Sequence, residues 1–276
     1  MNNISIIKNS GERESFDVNK LRNSLLRSGA SHDTVSKVVD ELYLYLHDGM
    51  SSRKIYKKAY SILAKISMHN AGKYRLKNAL LELGPTGFPF EHFVGAILKT
   101  RGYKVKVGQL IKGNCVQHEV DVVAENEDTI IVVECKFHRS LGRKSDVKVP
   151  LYIRSRFNDI YNKWSSDGSL KGKKYEAWVV TNTRFTEDAE KYGKCSGLVL
   201  KSWNYPFQES LKDMIDEAGL HPVTSLKTLS VKDKKDLVEL DIVLCREISN
   251  EVLMKSNIKR SKFDKIIAEA HTLAGI

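Results

Sequence analysis

Four consecutive β-branched residues, at positions 130 to 133, constrain the fold more than any other feature of this sequence. A strand that is apolar on both faces must be covered on both sides, so this run predicts the central strand of a sheet that lies between helices. Residues 116–124 also have strand character, and the polar residues 125–128 separate the two segments. The pattern predicts an antiparallel hairpin within a mixed α/β (α+β) fold.

Changes in pattern divide the chain into three predicted domains. Helical spacing dominates residues 1–85 and stops at Gly84-Pro85, a pair that ends helices. Residues 86–217 begin with a helix and continue with the predicted hairpin and further strands and helices. The apolar pattern of residues 218–276 predicts a small helical domain. It resembles a helix-hairpin-helix module but lacks the Gly-x-Gly turn of such modules, so we expect a protein-binding or structural role.

The first predicted domain opens with a hairpin formed by residues 4–7 and 12–16. Side chains that accept hydrogen bonds are placed to begin three helices, and a fourth helix is predicted over residues 71–83. The predicted caps are Asp17, Ser31, and either Ser51 or Ser52.

The composition excludes several classes of protein. The chain has 276 residues, of which 41% are hydrophobic and 29% charged, a balance typical of globular rather than disordered or fibrous proteins. No apolar run approaches the roughly 18 residues that span a bilayer, and the N-terminal segment lacks a signal-peptide core, so we expect a cytoplasmic protein without membrane contact. The four cysteines form no CxxC pair and are expected to be reduced thiols.

Positive charge is concentrated in the first two predicted domains. Residues 1–85 hold 14 basic and 8 acidic residues, residues 86–212 hold 21 and 15, and residues 213–276 hold 10 and 11, within a net charge of +11. This distribution predicts a polyanion as partner, and the alternative is that the lysines only keep the protein soluble. The basic residues expected to contact phosphate are Lys148, Arg154, Arg156, Lys163, Lys171, Lys173 and Lys174.

Asp121, Glu134 and Lys136 are the candidate catalytic residues of the hairpin. Glu134 and Lys136 are two residues apart and so project from one face of a strand. The turn is predicted to centre between residues 126 and 127. Asp121 then lies opposite residue 132, with Glu134 as its diagonal neighbour at about 7 to 8 Å. Two such carboxylates can bind one Mg²⁺ that activates water, with Lys136 positioning the water or stabilising charge on a phosphate. The alternative is an ordinary surface hairpin.

The order Asp-x12-Glu-Cys-Lys, here Asp121, Glu134 and Lys136, resembles the PD-(D/E)xK motif of Mrr-type restriction endonucleases. The segments FEHFVGAILKTRGYKV, EAWVVTNTRFTEDAEKY and LVLKSWNYP are similar to the opening helix, a later strand with its turn and helix, and the final core strand of that family. The resemblance spans residues 88–215. It implies a catalytic Lys136, Mg²⁺ or Mn²⁺ held by Asp121 and Glu134, and double-stranded DNA as substrate.

The same resemblance adds Glu91 as a third metal ligand and catalytic residue, since a Glu at this place in the opening helix often completes the metal site. Glu91 is alternatively a first-turn acid that the helix dipole favours. Val120 stands where the name of the motif has Pro, a departure common in this branch.

The segment IIKNSGERESFD followed by VNKLRNSL resembles the ATP-cone, a nucleotide-binding domain of ribonucleotide reductases and of their transcriptional repressor. The resemblance covers residues 4–83 and implies ATP or dATP as effector. Asn9 stands where the family usually has Arg, which would offer a bidentate contact to phosphate. The alternative is a helical domain that serves only in dimer formation. The residues implicated in nucleotide binding are Lys8, Asn9, Lys20, Ser52 and Tyr56.

Three functional hypotheses are open at this point. The first is a dimeric, metal-dependent DNA endonuclease of restriction or genome-defence type with a nucleotide-sensing front domain. The second is a catalytically silent nuclease fold that binds DNA in response to nucleotide. The third is a transcriptional regulator of the reductase-repressor type, which the absence of an N-terminal zinc ribbon disfavours. The presence of Asp121, Glu134 and Lys136 together favours the first.

Overall fold

The first part of the chain combines a small sheet with four helices. This computed structural model describes residues 4–8, 11–140, 142–170 and 172–276. Strand β1 (Ser5–Ile7) pairs antiparallel with β2 (Arg13–Ser15) and parallel with β3 (Met50–Ser51). The helices are α1 (Val18–Arg27), α2 (His32–Tyr43), α3 (Ser52–Ile66) and α4 (Met68–Leu81). The sequence predicts the hairpin but not β3, because two residues are too few for a periodic pattern.

Side-chain caps begin all four of these helices. The Asp17 carboxylate accepts hydrogen bonds from two backbone N–H groups of the first turn of α1, and the Ser31 hydroxyl caps α2, as the sequence predicts. Ser51, rather than Ser52, caps α3. Helix α4 begins three residues earlier than predicted because Ser67 caps it, and it ends at Leu81.

A five-stranded mixed sheet forms the centre of the molecule. The strands of this part of the chain are β4 (Lys104–Lys112), β5 (Gln117–Glu125), β6 (Thr129–Lys136), β7 (Lys144–Ser145), β8 (Lys174–Thr181), β9 (Arg184–Phe185) and β10 (Val199–Lys201). The sheet has the order β10-β8-β6-β5-β4, while β7 and β9 pair separately. Neighbours among β4, β5 and β6 are antiparallel, and those among β6, β8 and β10 are parallel. The apolar run lies in the central strand, β6, as predicted.

Helices cover both faces of the five-stranded sheet. They are α5 (Phe88–Thr100), α6 (Lys148–Ser166), α7 (Glu187–Ser196) and α8 (Leu211–Ala218). On one face Val133 belongs to an apolar core with Phe93 of α5, and on the other Val132 belongs to a second core with Phe157 of α6. Successive residues of β6 thus enter opposite cores, as the two-residue period of a strand requires.

The register of the hairpin differs from the prediction by two residues. Strand β5 pairs with β6 so that Val122 lies opposite Val133, and Asp121 follows directly beyond this last pair. The turn centre lies one residue later than predicted because the Asn126 side chain accepts hydrogen bonds from two backbone N–H groups that follow it. Asp121 therefore does not lie opposite residue 132 as predicted, and its carboxylate contacts the backbone N–H of Cys135, the residue after Glu134.

Short helices make up the last part of the chain. They are α9 (Val231–Glu239), α10 (Asn250–Met254) and α11 (Phe263–Ala274), with 3₁₀ turns at Val223–Ser225, Cys245–Glu247 and Arg260–Lys262. Ser230 and Asp233 form a reciprocal capping box at the start of α9. Most of the leucines and isoleucines in this segment are buried, but Leu240 is 44% exposed.

The last part of the chain shares its apolar core with α5 and with the end of α4. The Thr224 hydroxyl donates a hydrogen bond to the Ala79 carbonyl at 2.6 Å, and the Lys234 ammonium lies 3.1 Å from the Glu82 carboxylate. The architecture is the mixed α+β fold that the sequence predicts, whereas the three domain boundaries stay predictions. Every helix in the described residues is too short or too polar to cross a lipid bilayer.

Candidate functional site

Asp121 lies at a break in strand β5. In a regular strand Val120 and Val122 would share a face, but Val122 belongs to the core on the α5 side and Val120 to the core on the α6 side. Gly108, the residue of β4 across from Asp121, has a φ of +61°, which glycine adopts readily. The Asp121 side chain reaches over β6, where Oδ2 accepts a hydrogen bond from the Cys135 N–H at 2.6 Å. Such local breaks re-aim a side chain.

Glu134 is held at the end of β6 between two cations. Its side chain is 5% exposed, with Oε1 2.6 Å from the Lys136 ammonium and Oε2 2.6 Å from the Arg156 guanidinium. Arg156, from α6, also donates to the Glu119 carbonyl at 3.1 Å and to the Tyr152 hydroxyl at 3.2 Å. A buried carboxylate requires partners of this kind. Glu134 and Lys136 lie on one face, as their spacing predicts.

Negative charge accumulates around Asp121 and Glu91. Burial raises the pKa of Asp121 to about 6, and the Glu134 carboxylate adds to this effect. Burial also raises the pKa of Glu91, in the first turn of α5, to about 7, and the carboxylates of Asp121, Glu119 and Glu134 add to it. The Lys136 ammonium acts in the opposite direction on both. The structure therefore brings all four predicted catalytic residues into one electrostatic environment in which negative charge is in excess.

The carboxylates of this site have the donor chemistry of a divalent-cation site. Carboxylate oxygens are the ligands that Mg²⁺ and Mn²⁺ prefer, and such an ion would relieve the repulsion that adds to the effect of burial on the pKa values of Asp121 and Glu91. Both oxygens of Glu134 are engaged by cationic side chains. Among the described residues, no group of three His, Cys, Asp or Glu side chains is arranged to hold a metal ion. Binding through three carboxylates would require Glu134 to release one of its partners.

Two residues contribute to this site in ways that the sequence analysis missed. Arg156 was expected only to contact phosphate, whereas in the structure it pairs with Glu134 from 22 positions along the chain. Glu119 contributes a fourth carboxylate that acts on Glu91. The available signal was the spacing of Glu119 and Asp121, two residues apart on one predicted strand. Nothing local in the sequence indicates the contact between α6 and Glu134.

Several lysines of the basic stretch have carboxylate partners. The Lys173 ammonium lies 2.8 Å from the Glu125 carboxylate and also donates a hydrogen bond to the Asn126 carbonyl. These contacts stabilise the turn between β5 and β6. Lys174 lies 2.7 Å from the Glu176 carboxylate. Lys171 lies outside the described residues. The phosphate contacts expected of this loop stay a prediction.

A cleft of about 200 Å³ in the first part of the chain is lined by three of the predicted nucleotide-binding residues, Lys20, Ser52 and Tyr56. Lys8 follows directly after strand β1, and its ammonium lies 2.7 Å from the Glu14 carboxylate. Glu14 itself lines the cleft. The fifth predicted residue, Asn9, lies outside the described residues. The structure thus gathers three of the five around one opening.

Lys20 is the one cationic side chain among the described residues that line this cleft. Its side chain is 70% exposed, and the nearest carboxylate, that of Asp17, is 3.9 Å away, so the pair is weak. Tyr56 contributes its ring rather than a free hydroxyl, because that hydroxyl donates to the Tyr74 carbonyl at 3.1 Å and the two rings stack at 4.8 Å. Burial raises the pKa of Tyr56 to about 12.

Models of two known protein families match the two ends of the chain. The family model of the ATP cone domain matches residues 4–77, and a model described as AF1548-like, C-terminal, matches residues 221–274. The first match confirms the predicted ATP cone.

An uncharacterized protein of Archaeoglobus fulgidus is 31% identical over 182 residues, which are 65% of this chain and 98% of that protein. The crystal structure of AF1548, a protein of unknown function, has 31% identity and a TM-score of 0.56 and is matched over 69% of this chain and 99% of that chain. The chain belongs to the AF1548-like family.

Membership of the AF1548-like family supports the fold and leaves the activity open, since neither relative has an assigned function. The chain is also similar to the MspJI restriction endonuclease in complex with a 27-mer oligonucleotide, with 12% identity and a TM-score of 0.37 over 62% of this chain and 36% of that chain. The segment that matches the AF1548-like C-terminal model packs against the core of α5, the helix that carries Glu91.

Proposed function

We propose that this protein is a metal-dependent endonuclease that hydrolyses phosphodiester bonds in double-stranded DNA. The observation that carries the proposal is the meeting of Asp121, Glu134 and Lys136 at one end of the two central strands, with Glu91 near enough to share their charge. Buried carboxylates that repel one another reduce stability, so their grouping favours a functional role. The same residues carry the resemblance to the PD-(D/E)xK nucleases.

Each residue of the site has a role in this proposal. Asp121, Glu134 and Glu91 would hold Mg²⁺ or Mn²⁺, which when bound lowers the pKa of a water molecule and stabilises charge on the phosphate. Lys136 lies at the exposed end of the group, with 37% of its side chain accessible, where it can orient the attacking water or contact a phosphate oxygen. Arg156 is a positioning residue that holds Glu134.

We further propose that ATP or dATP binds the cleft of the ATP cone, with Lys20 at its phosphates, and regulates the nuclease. The connection from α4 to α5 is short, and the Arg139 guanidinium, three residues after Lys136, donates a hydrogen bond to the Pro85 carbonyl in that connection. A change in the cone can therefore reach both Glu91 and Lys136. Allosteric coupling of this kind is typically about 1 to 3 kcal/mol.

One observation favours the second hypothesis, a catalytically silent DNA-binding module. Glu134 is fully engaged by Lys136 and Arg156, and the described residues contain no preformed three-ligand metal group. If those ion pairs persist on DNA, the fold would bind without cleaving.

Incubation with supercoiled plasmid separates the two functions. Methylated and unmethylated plasmid would be treated with the purified protein in Mg²⁺, in Mn²⁺ or in EDTA, each with and without ATP. The endonuclease proposal predicts nicked and linear products in at least one metal arm and none in EDTA. Plasmid that is bound but intact in every metal arm would support the silent module instead.

A further inference from the structure

A large basic groove runs between the ATP cone and the central sheet domain. It has a volume of about 1440 Å³ and adjoins the nucleotide cleft, since both are lined by Lys20, Ser52 and Tyr56. Helices α1, α3 and α4 form one side, and residues after β6, together with Trp203 and Lys212, form the other. The described residues that line it include nine Lys or Arg side chains and one Glu. We call this surface the basic groove.

Only part of the positive charge of the basic groove is compensated within the described part of the chain, where Arg75 pairs with Glu82 and Lys212 with Asp216. Arg27, Arg53, Lys57 and Lys73 form no ion pair there, although acidic residues elsewhere pair with many of the surface lysines. Burial, and then the nearby charge of Arg184, lower the pKa of Lys77 to about 8. Like charge gathered in a concave surface raises the local concentration of anions. The groove therefore favours an anionic ligand.

Aromatic rings lie beside these cations. The Lys77 ammonium is 5.5 Å from the centre of the Trp203 ring, and the Arg75 guanidinium is 5.9 Å from the centre of the Tyr60 ring. Both rings are partly exposed in the groove. A cationic groove with accessible aromatic rings is the arrangement that binds single-stranded nucleic acids, whose phosphates contact the cations while bases stack on the rings. In a duplex the base faces are hidden in the stack.

The size and position of the groove also fit a strand. Its volume exceeds the roughly 300 to 1,000 Å³ of a site for one small molecule. Arg139 lines the groove and follows Lys136 by three residues, so their Cα atoms are at most about 11 Å apart. A strand in the groove can therefore approach the end of the catalytic group.

We propose that the basic groove binds a single-stranded segment of DNA or RNA, with phosphates on Arg53, Lys57 and Lys73 and a base on Trp203. Strand binding itself stands apart from the proposed nuclease activity, whereas delivery of the strand to Asp121 and Lys136 rests on it. A strand in this position bridges the ATP cone and the sheet domain.

Fluorescence anisotropy tests the proposal. Labelled single strands of about 12 nucleotides, in DNA and RNA forms, and a duplex of the same length would be titrated with the full chain in EDTA over a range of salt concentrations. The groove variant is Arg53→Glu/Lys57→Glu/Lys73→Glu. The matched control is Lys232→Glu/Lys255→Glu/Lys265→Glu, which makes the same charge change at exposed lysines of the last helices. Circular dichroism checks folding, and Arg53→Gln/Lys57→Gln/Lys73→Gln replaces a groove variant that does not fold.

We expect the groove variant to bind single strands at least about 100-fold more weakly and to lose about 2 from the slope of log affinity against log salt, as three lost phosphate contacts imply. The control should change by less than about threefold. Trp203→Ala should weaken binding about tenfold at an unchanged salt slope. A preference between the DNA and RNA probes identifies the natural strand.

Equal losses in the groove and control variants, or tighter binding of duplex than of single strands by the wild type, would overturn the proposal. Asp121→Asn separates this proposal from the nuclease proposal, because it should retain strand binding. If the wild type binds strands through the groove but never cleaves plasmid, the groove proposal stands and the nuclease proposal is wrong.

Discussion

The acidic site at the end of β6 and the basic groove are electrostatic opposites. Burial and like charge raise the pKa of Asp121 to about 6, whereas burial and like charge lower the pKa of Lys77 to about 8. In each place charges of one sign outnumber those of the other among the described residues, although Glu134 in the acidic site and Arg75 in the groove have partners of opposite charge. Shifts of this kind mark candidate ligand sites, and the opposite signs indicate a cation for one and an anion for the other.

The two regions differ in how far they are organised in advance. Glu134 is held by Lys136 and Arg156 at 2.6 Å each, so its carboxylate has one defined position in the acidic site. In the groove, Arg53 and Lys57 are exposed and have no ion-pair partner among the residues that the structure describes, so their side chains can adapt to an extended ligand. The acidic region thus holds its carboxylate in one geometry, whereas the exposed cations of the basic region can adopt many.

The largest effect is expected from removing the acidic pair. Asp121→Ala/Glu134→Ala removes two carboxylates that would hold the metal ion, so plasmid cleavage should fall at least about a thousandfold, as the loss of several kcal/mol of transition-state stabilisation implies. DNA affinity measured in EDTA should change little, because the two substitutions remove no cationic side chain that could contact phosphate. Gel assays of plasmid and anisotropy with duplex would provide the two readouts.

Glu127→Gln is the matched control for the acidic pair, since Glu127 is an exposed acid in the turn of the same hairpin. It should cleave at the wild-type rate. If the double variant cleaves as fast as this control, Asp121 and Glu134 are not catalytic residues.

A second prediction concerns stability. The folded pKa of Asp121, about 6, lies above its ordinary value of 3.8, so the ionised group opposes folding as the pH rises through this range. Asp121→Asn removes that charge while its amide oxygen can still accept the Cys135 N–H. We expect the free energy of unfolding at neutral pH to rise by about 2 kcal/mol, and the difference to vanish below about pH 4. Urea unfolding at the two pH values provides the measurement. A variant that is no more stable than the wild type at neutral pH would show that Asp121 is not repelled.

The sequence predicts those parts of this comparison that depend on local patterns. The apolar run at 130–133 identified the central strand, and the two-residue spacing placed Glu134 and Lys136 on one face. Asp17 and Ser31 marked helix starts because capping depends on neighbours in the chain.

The remaining features depend on contacts between distant residues. The register was wrong because the Asn126 side chain shifts the turn, a choice between hydrogen bonds that spacing alone does not settle. The pairing of Arg156 with Glu134 depends on how α6 crosses the sheet. The basic groove forms only when α4 and the residues after β6 come together, so a count of lysines in a segment cannot reveal it.

A third prediction concerns the cation that positions Glu134. The charge of Arg156 lowers the pKa of Asp121, so Arg156→Met should raise that pKa. The pH at which the cleavage rate increases should then be higher than in the wild type. We expect a loss of about tenfold near pH 6 and a smaller loss near pH 8, the pattern of a shift of roughly one pH unit. Arg154→Met, on the same helix, should leave the position of the rise unchanged. A loss that is equal at all pH values would assign Arg156 a role other than tuning Asp121.

The smallest predicted effect lies in the ATP cone. Lys20→Ala should weaken ATP binding about tenfold, the value of one charge-assisted contact at a partly exposed site. Lys8→Ala should have less effect, because the Lys8 ammonium already pairs with Glu14. Calorimetry with ATP compares the two, and Lys37→Ala, in an exposed pair with Asp33, is the control. A larger loss from Lys8 than from Lys20 would move the phosphate site from the cleft to the hairpin.

Titration of the protein with Mn²⁺ tests most directly whether the excess negative charge at Asp121 and Glu91 is a cation site. Calorimetry at about pH 6.5, in two buffers of different ionisation enthalpy, reports both binding and proton release. With pKa values of about 6 and about 7, the two carboxyls together hold roughly one proton at that pH. The account predicts one ion per chain, release of about one proton that declines towards pH 8, and no binding to Asp121→Ala/Glu134→Ala. Binding that releases no proton, or that is unchanged in the double variant, would contradict it.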